Sequence, residues 1–352
     1  MATSNALRVQ TGVFKILRAG AALPASVVAA IHDVQVVNEI NVPSMFSFTM
    51  SAQSQRGAWQ GVNLDLFKPG DAISISLGLD QAQELISGHV TAIEPSFADY
   101  ASVVVRGFDP MVRLRFGTQT RSFEKLSDDE IVAQVARSAG LKVECVGQTG
   151  RINDYVLQNR QSNYAFLLQR CQLLDYELLM QGTTLVFRPS AEGASPSRTL
   201  NYPKDLQRVT LNLKVPTQGE KVKVTGYDIE SNQYISAESM GGAPGELMGG
   251  SETGYQAASD FPASDIAIER PDIHSAEALQ AVADAQYQRY LNRFIEGSAS
   301  IQGDPALKAG INLKLTGMSE RFNGNYYLTQ ASHSYDDSSG YKTDIKLRRT
   351  GV

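Results

Sequence analysis

The spacing of apolar residues along this chain changes from a period of two to a helical period and back again. Up to Phe108 the apolar positions alternate with polar ones in short runs rich in Val, Ile and Phe, such as Ala72–Leu79. Turn residues such as Pro69 and Gly70 separate several of these runs. Many short strands at this spacing are typical of an antiparallel barrel or sandwich. We therefore predict a first β-barrel domain over residues 1–116.

A capped helix is predicted where the alternation stops. Ser127 and Glu130 have the spacing of a capping box, in which the hydroxyl and the carboxylate each accept a backbone N–H of the first turn. An apolar stripe at helical spacing follows, and Gly140 can end the helix in the left-handed conformation. Leu141–Val146 is then predicted to be a strand.

A second helix and a hairpin follow. Ser162 is placed to cap a helix whose apolar residues recur at helical spacing. Gly182 and Thr183 form the predicted turn between two alternating strands, and Pro189 ends the second strand. Together these elements predict an inserted α/β domain over residues 117–190, and the pattern alone gives no chemistry.

The remaining chain divides into strands, a glycine-rich segment and a helix. Residues 191–237 return to strand character and are predicted to rejoin the barrels. Residues 238–274 are predicted to be a long mobile loop, because Glu238–Ala263 holds six glycines with scattered Ser, Pro and Glu and cannot bury enough surface to order itself well. Ser275–Glu296 is predicted to be a long amphipathic helix, and residues 275–352 to form this helix and a second β-barrel.

Two parts of the chain share an order of glycines and strands that suggests an internal duplication. Gly70, Gly88 and Val103–Phe108 occur in the same order as Gly310, Gly324 and Asp344–Leu347. We therefore expect the two parts to lie in two barrels with the same strand order. The spacings differ between the parts, so the sequence leaves the duplication open.

Composition excludes several classes of function. The chain has 352 residues, of which 42% are hydrophobic and 20% charged, so it is long enough for two to four domains with buried cores. Its formal net charge of −5 argues against nucleic-acid binding as its main task. No run of apolar residues is long enough for a transmembrane helix, and no signal peptide opens the sequence.

Two small features have ordinary structural explanations. Cys145 and Cys171 are the only cysteines, too few for a disulfide framework or a four-cysteine zinc site, and Cys171 lies on the apolar stripe of a predicted helix. A basic cluster near the C-terminus is better explained as the solvated face of a terminal strand than as a binding patch. Its members are Lys342, Lys346, Arg348 and Arg349.

No motif in the sequence points to catalysis, a cofactor or a metal. The four histidines, His32, His89, His274 and His333, have no metal-ligand spacing. The pair Asp128-Asp129 is explained by a helix N-terminus, and Asp336-Asp337 by a turn between strands. The glycine-rich segment lacks the lysine of a phosphate-binding loop. We therefore assign no catalytic, cofactor-binding or metal-binding residue and predict that the protein is not an enzyme.

Several motifs, read in order, resemble a known family. The first three are Q-N-x-Q-S-x-Y-x-F-L-L-x-R over Gln158–Arg170, Y-E-L over Tyr176–Leu178, and G-T-x-L-x-F-R-P over Gly182–Pro189. The others are P-x-L-x-x-G over Pro305–Gly310, F-x-G-x-Y over Phe322–Tyr326, His333, and G-Y-x-T over Gly340–Thr343. This order resembles the phage late control D proteins and the N-terminal part of the VgrG spike proteins, which are tail-hub proteins of contractile injection machines.

The resemblance implies a fold and a function. The implied fold is α+β, mainly β, with two related antiparallel β-barrel domains, an inserted α/β unit and one long helix. The implied function is that of a structural baseplate or tail hub, a homotrimer that adapts a sixfold inner tube to a threefold spike. Its partners would be the inner tube protein hexamer, a separate spike protein and other baseplate components. It would assemble in the bacterial cytoplasm as part of a phage tail-like particle.

Two other functions stay open at this point. A tail-associated enzyme that degrades cell walls would use Asp336 or Glu130, and would need a pocket with two close carboxylates. A monomeric carbohydrate-binding β-protein would need exposed aromatic platforms. The chain reaches Val352 soon after the strand Lys342–Arg349 and has no repeats typical of a needle, so we expect the spike to be a separate protein.

Overall fold

The chain is mainly β, as predicted. A computed structural model describes residues 11–55, 58–60, 65–97, 100–147, 149, 152–240, 247–248 and 250–352. Most of its strands belong to one 14-stranded, largely antiparallel sheet, and the others form three small sheets. An α/β unit and one long helix are present, so the predicted fold class is confirmed. The sheet is not a closed barrel.

The strands and helices follow one another as predicted in outline. In the first part of the chain they are β1 Gly12–Arg18, β2 Ala21–Ala22, α1 Ala25–Val28, β3 Ile31–Glu39, β4 Val42–Gln55, β5 Ala58–Gln60, β6 Ala72–Leu79, β7 Gln83–Phe97 and β8 Tyr100–Phe108. The inserted unit contains β9 Gln119–Ser127, α2 Asp128–Ser138, β10 Lys142–Cys145, β11 Ile152–Gln161, α3 Asn163–Leu174, β12 Tyr176–Gln181 and β13 Thr184–Pro189. The last part contains β14 Arg198–Asn201, β15 Leu206–Leu213, β16 Lys221–Asp228, β17 Gln233–Met240, β18 Ile266–Glu269, α4 Ala276–Leu291, β19 Ile295–Gln302, β20 Ile311–Thr316, β21 Gly324–Asp336 and β22 Gly340–Arg349.

The large sheet consists of two modules with the same strand order. In the first module the neighbours are β1-β6-β7-β8-β4-β3, and in the second they are β14-β20-β21-β22-β19-β15. The strands also occur in the same order along the chain in both modules. Each module has its own hydrophobic core, one around Phe46 and Phe48 and the other around Phe294 and Tyr326. One pairing differs, because β1 is antiparallel to β6 whereas β14 is parallel to β20.

The two modules are joined rather than separate. Strand β3 of the first module pairs along its outer edge with β21 of the second, so both modules share one continuous sheet. We expected two separate barrels, and the expectation of separate sheets is wrong. The physical reason is that an open sheet leaves an edge with unsatisfied N–H and C=O groups, which the neighbouring module satisfies here.

The inserted unit packs around a third core. Helices α2 and α3 cover a sheet of order β10-β13-β12, while β9 and β11 form a two-stranded ribbon. The side chain of Ser127 forms the predicted capping box with Glu130, and Ser162 caps α3. Cys171 lies in this core with 1% exposure, as predicted.

The long helix is shorter than predicted. Helix α4 ends at Leu291 rather than Glu296, because Ile295 already pairs with β22 as the first residue of β19. Helix α4 packs on the sheet of β17, β16 and β18 and forms a fourth core.

The glycine-rich segment holds more structure than its composition predicts. Residues 241–246 and 249 of the predicted mobile loop lie outside the described residues. In the rest, Leu247, Met248 and Tyr255 are buried, and β18 pairs in parallel with β16. Mobility of the segment stays a prediction.

Candidate functional site

The duplicated modules repeat individual backbone contacts, not only a strand order. Strand β7 has a bulge at Thr91 where it pairs with β8, and β21 has a bulge at Thr329 where it pairs with β22. At both bulges the threonine hydroxyl donates to a carbonyl oxygen of the partner strand, at 3.5 and 3.3 Å. Gly70 and Gly310 each donate an N–H to the residue before the bulge, at 2.8 Å in both modules. We conclude that the modules are structural repeats.

This equivalence corrects one detail of the sequence comparison. Gly70 and Gly310 are equivalent, with φ of 90° and 87° that favour glycine at both positions. Gly88 pairs with Ile73, and the equivalent position in the second module is Tyr326, which pairs with Leu313. The match of Gly88 with Gly324 is therefore wrong by two residues.

The junction between the modules uses the second half of β21. Its first half pairs with β20, and after the bulge residues 330–336 pair with β3. In this ladder Ser334 lies opposite Gln35 and Tyr335 lies opposite Val34. The ring of Tyr335 packs on Phe14, with centroids 5.0 Å apart, at the first module's core. One strand thus belongs to the sheets of both modules.

A buried ion pair fixes the segment that follows the inserted unit to the second module. Arg348 of β22 donates from Nε and Nη2 to both carboxylate oxygens of Glu192, at 2.8 and 2.6 Å. Asn292, after α4, donates to the same carboxylate at 2.7 Å. Burial raises the pKa of Glu192 to about 7, although Arg348 opposes that shift. The pair connects three segments that are far apart in the sequence.

The basic cluster is a solvated face only in part, because Lys346 is exposed and Lys342 half-buried as expected, whereas the two arginines have partners inside the fold. Arg348 has the acidic partner just described, and Arg349 is 3% exposed and donates to the carbonyl oxygens of Arg321 and Asn323. A sequence pattern of alternating basic residues does not show which of them face inward.

A second buried group lies at the same boundary. The Tyr327 hydroxyl is 2.6 Å from both carboxylate oxygens of Glu177, and Arg188 lies 3.4 Å from that carboxylate. Arg188 also donates to the carbonyl oxygen of Gly310 at 2.7 Å. Burial raises the pKa of Tyr327, so the tyrosine is a hydrogen-bond donor at neutral pH. Glu177 thereby ties the inserted hairpin to β21, and Arg188 ties it to the residue before β20.

His333 occupies a closed structural position at the junction. It is 1% exposed, and its Nε2 lies 2.9 Å from the carbonyl oxygen of Leu307, so Nε2 is the donor. Its Nδ1 accepts from the hydroxyl of Tyr341 at 2.8 Å. Burial lowers the pKa of His333 to about 4. Both ring nitrogens form hydrogen bonds to buried groups, so neither is available as a base.

The carboxylates considered for catalysis have local structural roles. Glu130 accepts from the N–H of Ser127 at 2.8 Å and completes the capping box. Asp336 accepts from the N–H of Ser338 at 2.8 Å, and hydrogen bonds from that serine lower its pKa. Asp33 lies opposite Asp336 in the ladder, and burial followed by this neighbour raises the pKa of Asp33. The two are only partly buried, at a strand end that leads into a turn.

Other chemistry receives no support from the described part of the chain. Within it, no group of three or more His, Cys, Asp or Glu side chains is placed to bind a metal ion. No helix there combines the length and apolar character that crossing a membrane requires.

Comparison with known proteins places the chain in a family. The family described as Alg8 N-terminal domain matches residues 8–337. The chain belongs to the Alg8 N-terminal domain family. A comparison with curated proteins finds none that matches the sequence.

Solved structures share the fold of this family member at low sequence identity. The 43 kDa tail protein of prophage MuSo2 from Shewanella oneidensis has a TM-score of 0.75 and 13% identity, covering 97% of this chain and 99% of its own. A tail protein from Neisseria meningitidis MC58 has a TM-score of 0.72 and 9% identity, with coverage of 96% and 97%. An E. coli component of the type VI secretion system, described as similar to T4 bacteriophage tail proteins gp27 and gp5, has a TM-score of 0.58 and 13% identity, with coverage of 95% and 76%. The resemblance to tail-hub proteins is thus confirmed at the level of the fold.

Proposed function

We propose that this protein is the structural hub of a contractile tail-like machine: a phage tail, a tailocin or an extracellular injection system. The observation that carries the proposal is the pair of equivalent modules in one chain, joined edge to edge in one sheet. Three such chains present six equivalent modules around an axis, which matches a sixfold tube while the chains keep threefold symmetry.

The proposed partners follow from these two symmetries. A ring of six modules offers six similar edges to a hexamer of the inner tube protein. The inserted units occur once per chain, so they offer three positions to a threefold spike or to other baseplate components. The contacts of Glu177 with Tyr327 and of Arg188 with Gly310 support a fixed position of each inserted unit on its second module. Assembly would take place in the bacterial cytoplasm, within a tail-like particle.

The proposed role is structural rather than enzymatic. Glu130 forms a helix cap and Asp336 forms a turn, so no observation favours a wall-degrading enzyme. The fold of the tail proteins described above supports a tail role.

Native mass spectrometry tests the proposal directly. The purified chain is measured alone and with the inner tube protein, and a trimer is expected alone or with the tube hexamer. A stable dimer or hexamer of this chain under both conditions would contradict the proposed symmetry.

A further inference from the structure

The two modules differ in which of their sheet edges are covered. In the first module, β3 is paired on one side with β4 and on the other with β21. Its counterpart in the second module, β15, pairs with β19, and no other strand pairs with it among the described residues. The counterpart of the junction half of β21 is the end of β7 after Thr91. Its residues Ala92–Ser96 pair with β8 and, in the same described ranges, with no strand on their other side.

These two uncovered edges are the halves of a second junction. We infer that β15 of one chain pairs antiparallel with Ala92–Ser96 of β7 in a neighbouring copy, in the register of the β3–β21 ladder. The inference deepens the proposed function, since it rests on a homo-oligomeric hub and names the strands that join its chains. The occupant is a second copy because the partner edge already exists on every chain.

The internal junction fixes the register. Thr91 is equivalent to Thr329, so Ser96 is equivalent to Ser334. Strands β3 and β15 are aligned by a shared bulge, since their pairings with β4 and β19 shift between Ile31 and Asp33 and between Leu206 and Arg208. This alignment makes Thr210 equivalent to Gln35. Because Ser334 lies opposite Gln35, Ser96 of one chain should lie opposite Thr210 of the next.

Side-chain chemistry agrees with this register independently. The predicted pairs on one face are Ile93 with Leu213 and Pro95 with Leu211. The pairs on the other face are Glu94 with Asn212 and Ser96 with Thr210. The first face is apolar throughout and the second is polar throughout, whereas a shift by one residue would put apolar side chains opposite polar ones.

Burial points the same way. Pro95 is exposed, whereas its equivalent His333 is 1% exposed at the internal junction. The second core is partly covered by Val209, Leu211 and Leu213. The apolar side chains of β7 from a neighbouring copy would extend this core. Pro95 has no N–H, so it removes at most one hydrogen bond from the ladder.

The pairing is also suited to closing a ring. It joins different edges of two copies, so it is a heterologous contact that repeats from chain to chain. If it has the geometry of the internal junction, every module meets its neighbours in the same way. The ring then closes at a whole number of chains, which the proposed function sets at three.

Disulfide crosslinking between two single variants tests the pairing. The background replaces Cys145 with serine and keeps the buried Cys171. Ser96→Cys and Thr210→Cys are made in separate chains, mixed, oxidised and analysed on a non-reducing gel. The expected result is a covalent dimer from the mixture, at least tenfold more abundant than from either variant alone.

Two controls define the outcome. Gln35→Cys/Ser334→Cys in one chain is the positive control, since the equivalent pair should close within that chain. Ala92→Cys mixed with Thr210→Cys is off register by four residues and should give no more dimer than single variants. A second readout is the mass in solution: Pro95→Asp puts a charge opposite Leu211 of the next chain and should shift the oligomer to monomer, whereas Phe116→Asp, at a site that is 70% exposed elsewhere on the chain, should not.

The results separate the inference from the proposed function. A trimer that crosslinks no better at Ser96 and Thr210 than in the off-register mixture overturns the strand pairing and leaves the hub intact. A crosslink formed within particles whose native mass is that of a dimer or a hexamer supports the pairing and contradicts the threefold hub. The pairing is overturned if the wild-type chain stays monomeric at its highest soluble concentration and the two cysteine variants give no crosslink.

Discussion

Replacing the buried histidine at the module junction should change how stability depends on pH. His333 is 1% exposed, and burial lowers its pKa to about 4, against an ordinary value of 6.5. Between these two values the unfolded chain binds a proton that the folded chain does not, so stability falls as pH falls. A difference of one pKa unit between the folded and unfolded states changes the free energy of unfolding by about 1.4 kcal/mol, so the whole interval between the two pKa values corresponds to roughly 3 kcal/mol.

The comparison is between the wild type and His333→Gln, which can keep the donor to the carbonyl oxygen of Leu307. Urea unfolding is measured at several pH values from about 7 to 4.5, and the free energies of unfolding are subtracted at each pH. The subtraction is needed because burial also raises the pKa of Asp109 to about 6. This carboxyl makes stability rise as pH falls, which is opposite to the effect of His333. Asp109 is unchanged in both proteins, so its contribution cancels.

The expected result is that the wild type loses about 2–3 kcal/mol more than the variant as pH falls through this window. The variant is less stable at neutral pH, where it loses packing, and the difference narrows on acidification. A difference between the two proteins that is the same at every pH would refute the reasoning, since His333 would then titrate alike in both states.

Three further changes test other contacts. Gly310→Ala should lower the free energy of unfolding in urea by about 1–3 kcal/mol more than Gly70→Ala does. Both substitutions strain a backbone with positive φ, but only at Gly310 does the new Cβ meet an arginine nitrogen, at 2.5 Å. Equal losses of stability in the two variants would contradict this. Arg348→Met should cost about 3–5 kcal/mol because Glu192 is left buried and unpaired, and the double variant with Glu192→Gln should recover part of that loss in the same assay. Cys171 should react with a thiol reagent only after unfolding, since it is 1% exposed and burial raises its pKa well above the ordinary value; rapid labelling in the native protein would show that the third core opens.

Local features of this fold could be predicted because their causes are local. Ser127 and Ser162 cap helices through atoms three residues away, and Gly140 adopts the left-handed conformation after α2. The hairpin turn at Gly182 is set by the same short-range chemistry. Each of these signals lies within a few residues of its effect, so the printed sequence contains all of it.

The contacts that unite the fold could not be predicted, because their partners lie far apart. Glu192 and Arg348 are separated by 156 residues, and neither stands in a pattern that points to the other. The pairing of β3 with β21 also depends on which strand edges are left uncovered once each module has formed. The glycine order did indicate the duplication, but the equivalent residues became clear only from the shared bulges.

The bulge at Thr329 also has a mechanical consequence. It lets a single strand run out of one module and into the sheet of the next, so the seven residue pairs of the β3–β21 ladder lie side by side. A force that slides the modules past each other along the strand direction loads all these pairs together, whereas a force that peels them apart breaks them one at a time. The chain should therefore resist a push along β21 far better than a pull across it.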